Sequence, residues 1–198
     1  MIDVYDNVLE NHEAQFVHHL LTDQEFMWQY QHRSDNTKPI YHWHRHAGKN
    51  DSDLQNNNFE WLIPIWSNFI NKYDFKEKYG VNTYRRIYFN AHTHGIEPQP
   101  HKDDGDFTMI YYPIMDWKKN WGGGTVIWDE SDEKIEEHVE YVGNRLFVFP
   151  AKRLHQAMPV SRLSYSLRSV IVFKCYIQSE AVDPPKYEGQ IGYDSGRT

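Results

Sequence analysis

The chain has 198 residues, a net charge of -7 and 16% aromatic residues, which is enough for one folded domain with an aromatic-rich core. The acidic balance argues against a nucleic-acid partner, because nucleic-acid binders usually present a basic face to phosphate. Cys175 is the single cysteine, which excludes an intrachain disulfide and indicates a reducing compartment. The sequence has neither a run apolar enough to span a membrane nor a signal-peptide pattern at its start, so we expect a cytoplasmic protein without a membrane partner.

The first third of the chain has helical periodicity. Apolar residues recur at helical spacing within residues 13–30, which predicts a first helix there. A second helix is expected after a cap at Asp51 or Ser52, with Pro64 near its start. Its apolar face is predicted to contain Phe59, Leu62, Ile65, Trp66, Phe69 and Ile70.

Between these two helices lies a polar stretch, residues 41–46, with three alternating histidines. In a strand, His42, His44 and His46 would share one face and could form a second metal site. The stretch has no acidic residue or cysteine among these histidines. We therefore interpret it as a polar loop.

From residue 83 the pattern changes to short β-rich runs separated by Gly, Pro, Asn and Asp. The runs are residues 83–90, 107–115, 125–128, 136–142, 145–149 and 166–177. They favour an antiparallel sandwich or barrel, and the acidic residues 129–140 are interpreted as a solvated hairpin. The predicted fold is mainly β (α+β) in one domain over residues 1–198. Helical support is expected at about 1–82, a β core at about 83–177 and an extended tail at 178–198.

A candidate metal site begins at His101 and Asp103, which are two positions apart. Residues i and i+2 of a strand point to the same side, so an imidazole and a carboxylate can reach one metal there. His155, just after a predicted strand, is the candidate third ligand, and two histidines with one carboxylate are typical of Fe(II) oxygenases. The alternative for the first pair is a surface histidine beside a turn. His92 and His94 come shortly before, but neither has an acidic residue two places on, so His101 is preferred.

Six features in this order resemble the prolyl-4-hydroxylase-like branch of the 2-oxoglutarate/Fe(II) oxygenases. They are Tyr88 with Asn90, the His101 and Asp103 pair, Trp121 with Gly122 to Thr125, the run from Gly143 to Phe149, His155, and Arg168. The resemblance covers roughly residues 83–176 and implies a double-stranded β-helix, or jelly roll, with supporting N-terminal helices. The sequence departs from the family pattern at Asn144, an extra residue before Arg145, and at Gly124, where an acidic residue is usual.

The resemblance implies that His101, Asp103 and His155 bind Fe(II), and that 2-oxoglutarate and O2 are co-substrates. It also implies that a cation on the last strand binds the distal carboxylate of 2-oxoglutarate. Arginine suits this role because its planar group pairs with a carboxylate through two hydrogen bonds. Arg168 heads an apolar strand and is the predicted anchor, while Arg162, among polar residues, is the alternative.

By the same resemblance, Tyr88, Asn90 and Tyr112 would line the co-substrate pocket, with Tyr111 as an alternative to Tyr112. The other interpretation of these residues is that they are core aromatics and a strand amide. Either way they lie in predicted strands next to the candidate ligands.

The predicted activity is hydroxylation of a C–H bond, dependent on 2-oxoglutarate and Fe(II), with decarboxylation of 2-oxoglutarate to succinate. Prolyl residues of a peptide or protein are the first substrate hypothesis, and a free amino acid or other small molecule is the alternative. A nucleic-acid substrate is disfavoured by the acidic balance. A cupin-like binding module without redox chemistry is the rival class, and it would have no need of Arg168.

Overall fold

The computed structural model describes residues 1–33 and 40–177. The helices in these residues are α1 (Asn11–Thr22), α2 (Asp51–Asn56), α3 (Leu62–Lys72), α4 (Phe75–Tyr79) and a 3-10 turn (Lys119–Trp121). The first five strands are β1 (Asp3–Asp6), β2 (Gln29–Arg33), β3 (Ile40–Gly48), β4 (Val81–His92) and β5 (Phe107–Tyr112). The others are β6 (Thr125–Trp128), β7 (Ile135–Val139), β8 (Arg145–Pro150), β9 (His155–Ala157) and β10 (Arg168–Ile177). The tail predicted over residues 178–198 lies outside the described residues.

The first helix is shorter than its periodicity predicts. It begins with a capping box between Glu10 and Glu13 and ends at Thr22. The side chain of Asp23 then accepts a hydrogen bond from the backbone of Glu25, which turns the chain out of the helix. The prediction of helix through residue 30 was wrong, because residues 29–33 pair with β3 instead.

The second predicted helix is divided into α2 and α3. Asn50, rather than Asp51 or Ser52, caps α2 by accepting a hydrogen bond from the backbone of Asp53. Asn58, at φ +61°, separates the two helices. Pro64 is the third residue of α3, and the N–H groups of the first turn of a helix have no intrahelical acceptor. Proline therefore costs no hydrogen bond there, and its predicted position near a helix start is confirmed.

The strands form two antiparallel sheets. The large sheet has the order β1-β8-β5-β10-β4-β3-β2, and the small sheet has the order β7-β6-β9. One core lies between the large sheet and the helices and includes Phe89, Ile171 and Phe173. A second core lies between the two sheets and includes Phe147 and Val170. This arrangement confirms the predicted mainly β, jelly-roll-like fold.

The histidine-rich stretch is a strand and not the predicted loop. Residues 41–46 lie in β3, which pairs with β2 on one side and β4 on the other. The interpretation as a loop was wrong because the backbone hydrogen bonds of two neighbouring strands outweigh the polarity of the side chains. His44 is the Cα partner of Asn90 on β4, so the histidines of β3 share a face with that residue.

The predicted β-rich runs correspond to β4, β5, β6, β7, β8 and β10, although β5 and β7 end before the predicted limits. The acidic segment forms a β6–β7 hairpin whose second strand is exposed at its first four residues, as predicted. Within the described residues, no helix is both long and apolar enough to cross a membrane. The assignment of residues 1–198 to one domain stays a prediction.

Candidate metal centre and co-substrate pocket

His101, Asp103 and His155 converge at one point between the sheets. Their ligand atoms all lie within 4.8 Å of one another, and the described residues contain no other such group of three His, Cys, Asp or Glu. The backbones of His101 and His155 form an antiparallel bridge with two hydrogen bonds of 3.0 Å. The backbone of Asp103 donates to Ala151 O at 2.8 Å. Backbone pairing therefore brings together residues that are far apart in the sequence.

Both imidazoles are oriented for metal binding. His101 Nδ1 lies 3.0 Å from Gln99 O, and His155 Nδ1 lies 3.0 Å from Arg153 O. A carbonyl oxygen only accepts, so each Nδ1 donates and each Nε2 of the neutral ring retains a lone pair. The two Nε2 atoms face Asp103, at 3.7 Å for His101 and 3.4 Å for His155. This donor set suits a divalent iron site.

Asp103 lies beside a buried lysine that the sequence analysis missed. The Lys174 ammonium contacts Asp103 Oδ2, and the Thr108 hydroxyl donates to the same oxygen at 2.7 Å. Burial raises the pKa of Asp103, but its polar contact with His155 and the charge of Lys174 outweigh the burial and hold the pKa below its usual range. A lysine within an otherwise apolar strand was the available sequence signal.

Arg168 is buried on the same strand as Lys174, at 2% exposure. Its Nε donates to Gly123 O, and its Nη2 donates to Gly124 O at 3.3 Å and to Thr125 Oγ1 at 3.1 Å. These bonds use Nε and Nη2, so within the described chain Nη1 remains for a ligand. Gly123 has φ +76°, and a Cβ there would lie 3.3 Å from Arg168, which explains the glycine run. Arg162 is exposed and precedes the strand.

The two adjacent tyrosines of β5 face opposite sides of the large sheet. Tyr112 points into the space between the sheets, where its hydroxyl donates to Thr125 Oγ1 at 2.8 Å. The Arg168 guanidinium lies 5.7 Å from its ring centroid. Tyr111 points toward the helices, and its hydroxyl donates to Asn144 Oδ1 at 3.3 Å. Of the two alternatives, Tyr112 is the one on the side of Arg168.

Tyr88 and Asn90 lie on β4, next to β10. Tyr88 is buried, packs in the core between the sheets and has the Lys174 ammonium 5.9 Å from its ring centroid. Asn90 Oδ1 lies 2.8 Å from His44 Nδ1 on β3. Both predicted pocket residues therefore lie on the same side of the sheet as the candidate ligands.

Strand β10 has a charged side chain near each end of one face. Arg168, Val170, Val172 and Lys174 alternate along the strand, and the two valines belong to the core between the sheets. The six residue steps from Arg168 to Lys174 span about 20 Å along the strand. This face of β10 thus has an arginine at one end, two valines in the middle, and a lysine in contact with Asp103 at the other end. A separate cavity of about 540 Å³, lined by His18 and Tyr165 among others, contains none of the predicted site residues.

Comparisons with known proteins gave one family model and several similar folds. A sequence model described as "2OG-Fe(II) oxygenase superfamily" matches residues 79–173. No curated protein matches the chain. A prolyl hydroxylase from Trichoplax adhaerens superimposes on this chain with a TM-score of 0.68 at 14% sequence identity. The match covers 88% of this chain and 83% of that one, and that structure is a complex with a peptide fragment of the hypoxia inducible factor oxygen degradation domain. A prolyl-4-hydroxylase from Pseudomonas putida gives 0.61 at 16% identity, covering 88% and 92%.

A third similar structure is an epimerase. The non-haem α-ketoglutarate-dependent epimerase SnoN of nogalamycin biosynthesis gives a TM-score of 0.58 at 11% identity, covering 87% of this chain and 78% of that one. At these identities the structures show the common fold, and the sequence model supplies the family. By this match, residues 79–173 belong to the 2OG-Fe(II) oxygenase superfamily, whose members use Fe(II), 2-oxoglutarate and O2.

Proposed function

We propose that this protein is a 2-oxoglutarate- and Fe(II)-dependent dioxygenase that hydroxylates a C–H bond, with His101, Asp103 and His155 as the iron ligands. The convergence of these three side chains, with both Nε2 atoms facing Asp103, carries the proposal. When bound, the iron supplies the O2 chemistry that couples decarboxylation of 2-oxoglutarate to succinate with oxidation of the substrate. The chain itself orients the ligands through the Nδ1 hydrogen bonds described above.

We assign the anchoring of the distal carboxylate of 2-oxoglutarate to Arg168, with Tyr112 beside it and Tyr88 and Asn90 lining the pocket. Arg168 is buried, and within the described chain no acidic residue forms an ion pair with it. A buried cation of this kind is stabilised by an anionic ligand. The valines of β10 supply an apolar surface for the methylene groups of such a ligand and keep water away from it.

For the substrate, a prolyl residue of a peptide or protein is the first hypothesis. Its support is that two of the similar structures are prolyl hydroxylases and that one of them holds a peptide. A free amino acid or other small molecule is the second hypothesis, since an epimerase shares the fold. We keep a cytoplasmic location as a proposal, on the single, buried Cys175.

The co-substrate half of the proposal is tested by anaerobic addition of Fe(II) and 2-oxoglutarate. A visible charge-transfer band is expected in the parent protein. Asp103→Ala should abolish the band by removing a ligand, and Arg168→Gln should weaken 2-oxoglutarate binding. Arg162→Gln is the matched control and should behave as the parent. Absence of the band in the parent would contradict the oxygenase assignment and favour the binding-module alternative.

The substrate half is tested by succinate release with a panel of candidate substrates. Each proline-containing peptide is paired with the same peptide carrying alanine, and free amino acids form a second set. A signal confined to the proline peptides would support the prolyl hypothesis. If succinate release is the same low background with every peptide and rises with a free amino acid, the small-molecule hypothesis is supported and the prolyl hypothesis is contradicted.

A further inference from the structure

His92 is a buried histidine next to the arginine anchor. It is the last residue of β4 and the Cα partner of Arg168 at the start of β10. The two side chains therefore lie side by side on the face of the large sheet that looks toward the small sheet. His92 is 8% exposed, and its Nδ1 is buried without a hydrogen-bond partner in the described chain. Buried polar atoms are nearly always paired, so this nitrogen calls for a ligand.

The surroundings of His92 favour an anionic ligand. Burial holds the pKa of His92 well below its usual value, and the neighbouring charges of Arg168, His42 and His101 lower it further. The ring is therefore neutral, with one N–H to donate, and it lies among groups that are or can become cations. An oxygen acceptor with negative charge would satisfy the nitrogen and offset those neighbours.

A second metal ion is not supported at this position. The His42 and His92 ring centroids are 5.8 Å apart, and the His42 and His44 centroids are 5.9 Å apart. Three or more ligand residues close enough to share an ion occur in the described residues only at the His101 group. The imidazoles on β3 and β4 therefore form a hydrogen-bonding surface beside Arg168.

We propose that His92 is a second anchor for 2-oxoglutarate, donating from Nδ1 to the distal carboxylate that Arg168 binds. The inference rests on the proposed function, because it uses the same co-substrate. The cross-strand pairing of His92 with Arg168 places the contact at the distal carboxylate and not at the oxo-acid end. Arg168 Nη1 and His92 Nδ1 then hold one carboxylate from two neighbouring strands.

The experiment measures the 2-oxoglutarate Kd by anaerobic titration of the Fe(II)-loaded protein, using the charge-transfer band. His92→Phe keeps a ring of similar size but removes the donor, and we expect the Kd to rise on the order of tenfold or more. His92→Asn places an amide nitrogen where Nδ1 lies and should restore most of the affinity. The Fe(II) Kd should stay the same in all variants. His94→Asn, on the exposed segment just after β4, is the matched control and should leave both constants unchanged.

Glutarate, which has both carboxylates but no oxo group, identifies the end that His92 contacts. In competition with 2-oxoglutarate, glutarate should lose affinity in His92→Phe by the same factor. A loss confined to 2-oxoglutarate would place the contact at the oxo-acid end and overturn the inference, and so would an unchanged 2-oxoglutarate Kd. His92→Leu is the second variant without a donor if His92→Phe does not fold. Failure of the parent protein to bind 2-oxoglutarate would refute the proposed function itself. This outcome differs from a failure of the His92 inference, in which the parent binds 2-oxoglutarate normally.

Discussion

Lys174 and Asp103 form a buried ion pair that joins the last strand to the segment holding two of the candidate iron ligands. The Lys174 side chain is 1% exposed and that of Asp103 is 10% exposed. Lys174 and the Thr108 hydroxyl both contact Oδ2 of Asp103, whereas Oδ1 faces His101 Nε2 at 3.7 Å. The pair therefore orients the carboxylate before any metal binds.

Substitution of Lys174 by Met should strongly destabilise the metal-free protein. The change leaves the Asp103 carboxylate buried without its cation, which typically costs about 3–5 kcal/mol. Urea unfolding of the chelator-treated protein measures the loss. The double variant Asp103→Asn with Lys174→Met should recover much of it, because two uncharged groups carry a smaller desolvation penalty. Equal free energies of unfolding for Lys174→Met and the parent would show that the pair contributes little.

Divalent metal should stabilise the folded protein through the three-residue site. A ligand that binds only the folded state at about 100 times its Kd adds roughly 2.7 kcal/mol to the free energy of unfolding. Thermal unfolding with Mn(II), compared with chelator-treated protein, should show a clear rise in Tm. Asp103→Ala should abolish the rise. Asp104→Ala is the neighbouring control, since Asp104 pairs with Arg86, and it should retain the full rise.

The stability of the metal-free protein should fall as the pH is lowered from about 7.5 to about 5.5. Burial, with the charges of Arg168, His42 and His101, holds the pKa of His92 well below the ordinary value of 6.5. The unfolded chain takes up a proton in this window while folded His92 does not, so folding loses about 1.4 kcal/mol from this residue between the two pH values. Denaturant unfolding at pH 7.5 and pH 5.5, in the parent and in His92→Phe, measures how much of the loss in stability comes from His92. The same pH dependence in both proteins would contradict a contribution from His92.

Asn144 should be required for the docking of the N-terminal segment. It adopts φ +63°, its Oδ1 accepts from Leu9 N at 3.0 Å, and its Nδ2 donates to Leu9 O at 2.9 Å. Asn144→Ala would leave two buried backbone groups unpaired and would strain the left-handed backbone, at a cost of about 2–4 kcal/mol. Asn144→Asp keeps the acceptor for Leu9 N but places a carboxylate oxygen against Leu9 O in a buried site, so near neutral pH it should cost at least as much as Asn144→Ala. Chemical denaturation of both variants measures these losses, and parent-like stability in either variant would contradict the role of the amide.

Asn144 also illustrates what sequence comparison leaves open. In the sequence it is an extra residue in the Gly-Arg pattern, without an assigned role. The structure gives it one, because the left-handed turn after Gly143 directs its amide to the backbone of Leu9, 135 positions away. Contacts at this separation depend on the packing of strands that are distant in sequence, which local periodicity does not encode.

The sequence by itself determined a mainly β fold, and the order of its motifs produced the resemblance that implied a jelly roll and the family. Alternating apolar residues predict strands, and the His101 and Asp103 spacing places two ligand types on one side of the chain. The order of motifs along the chain predicted His155 as the third metal ligand and Arg168 as the 2-oxoglutarate anchor, and both roles remain proposals. These signals are local or depend on order along the chain, so they can be recognised without coordinates.

Only the tertiary structure decided how these parts are held. Backbone pairing showed that the histidines of β3 belong to a strand beside the pocket, and burial distinguished the enclosed Arg168 from the exposed Arg162. The contact of Lys174 with Asp103 and the position of His92 beside Arg168 both arise from strand register. Register is set when a whole sheet packs, and a shift of one residue would turn each of these side chains to the opposite face.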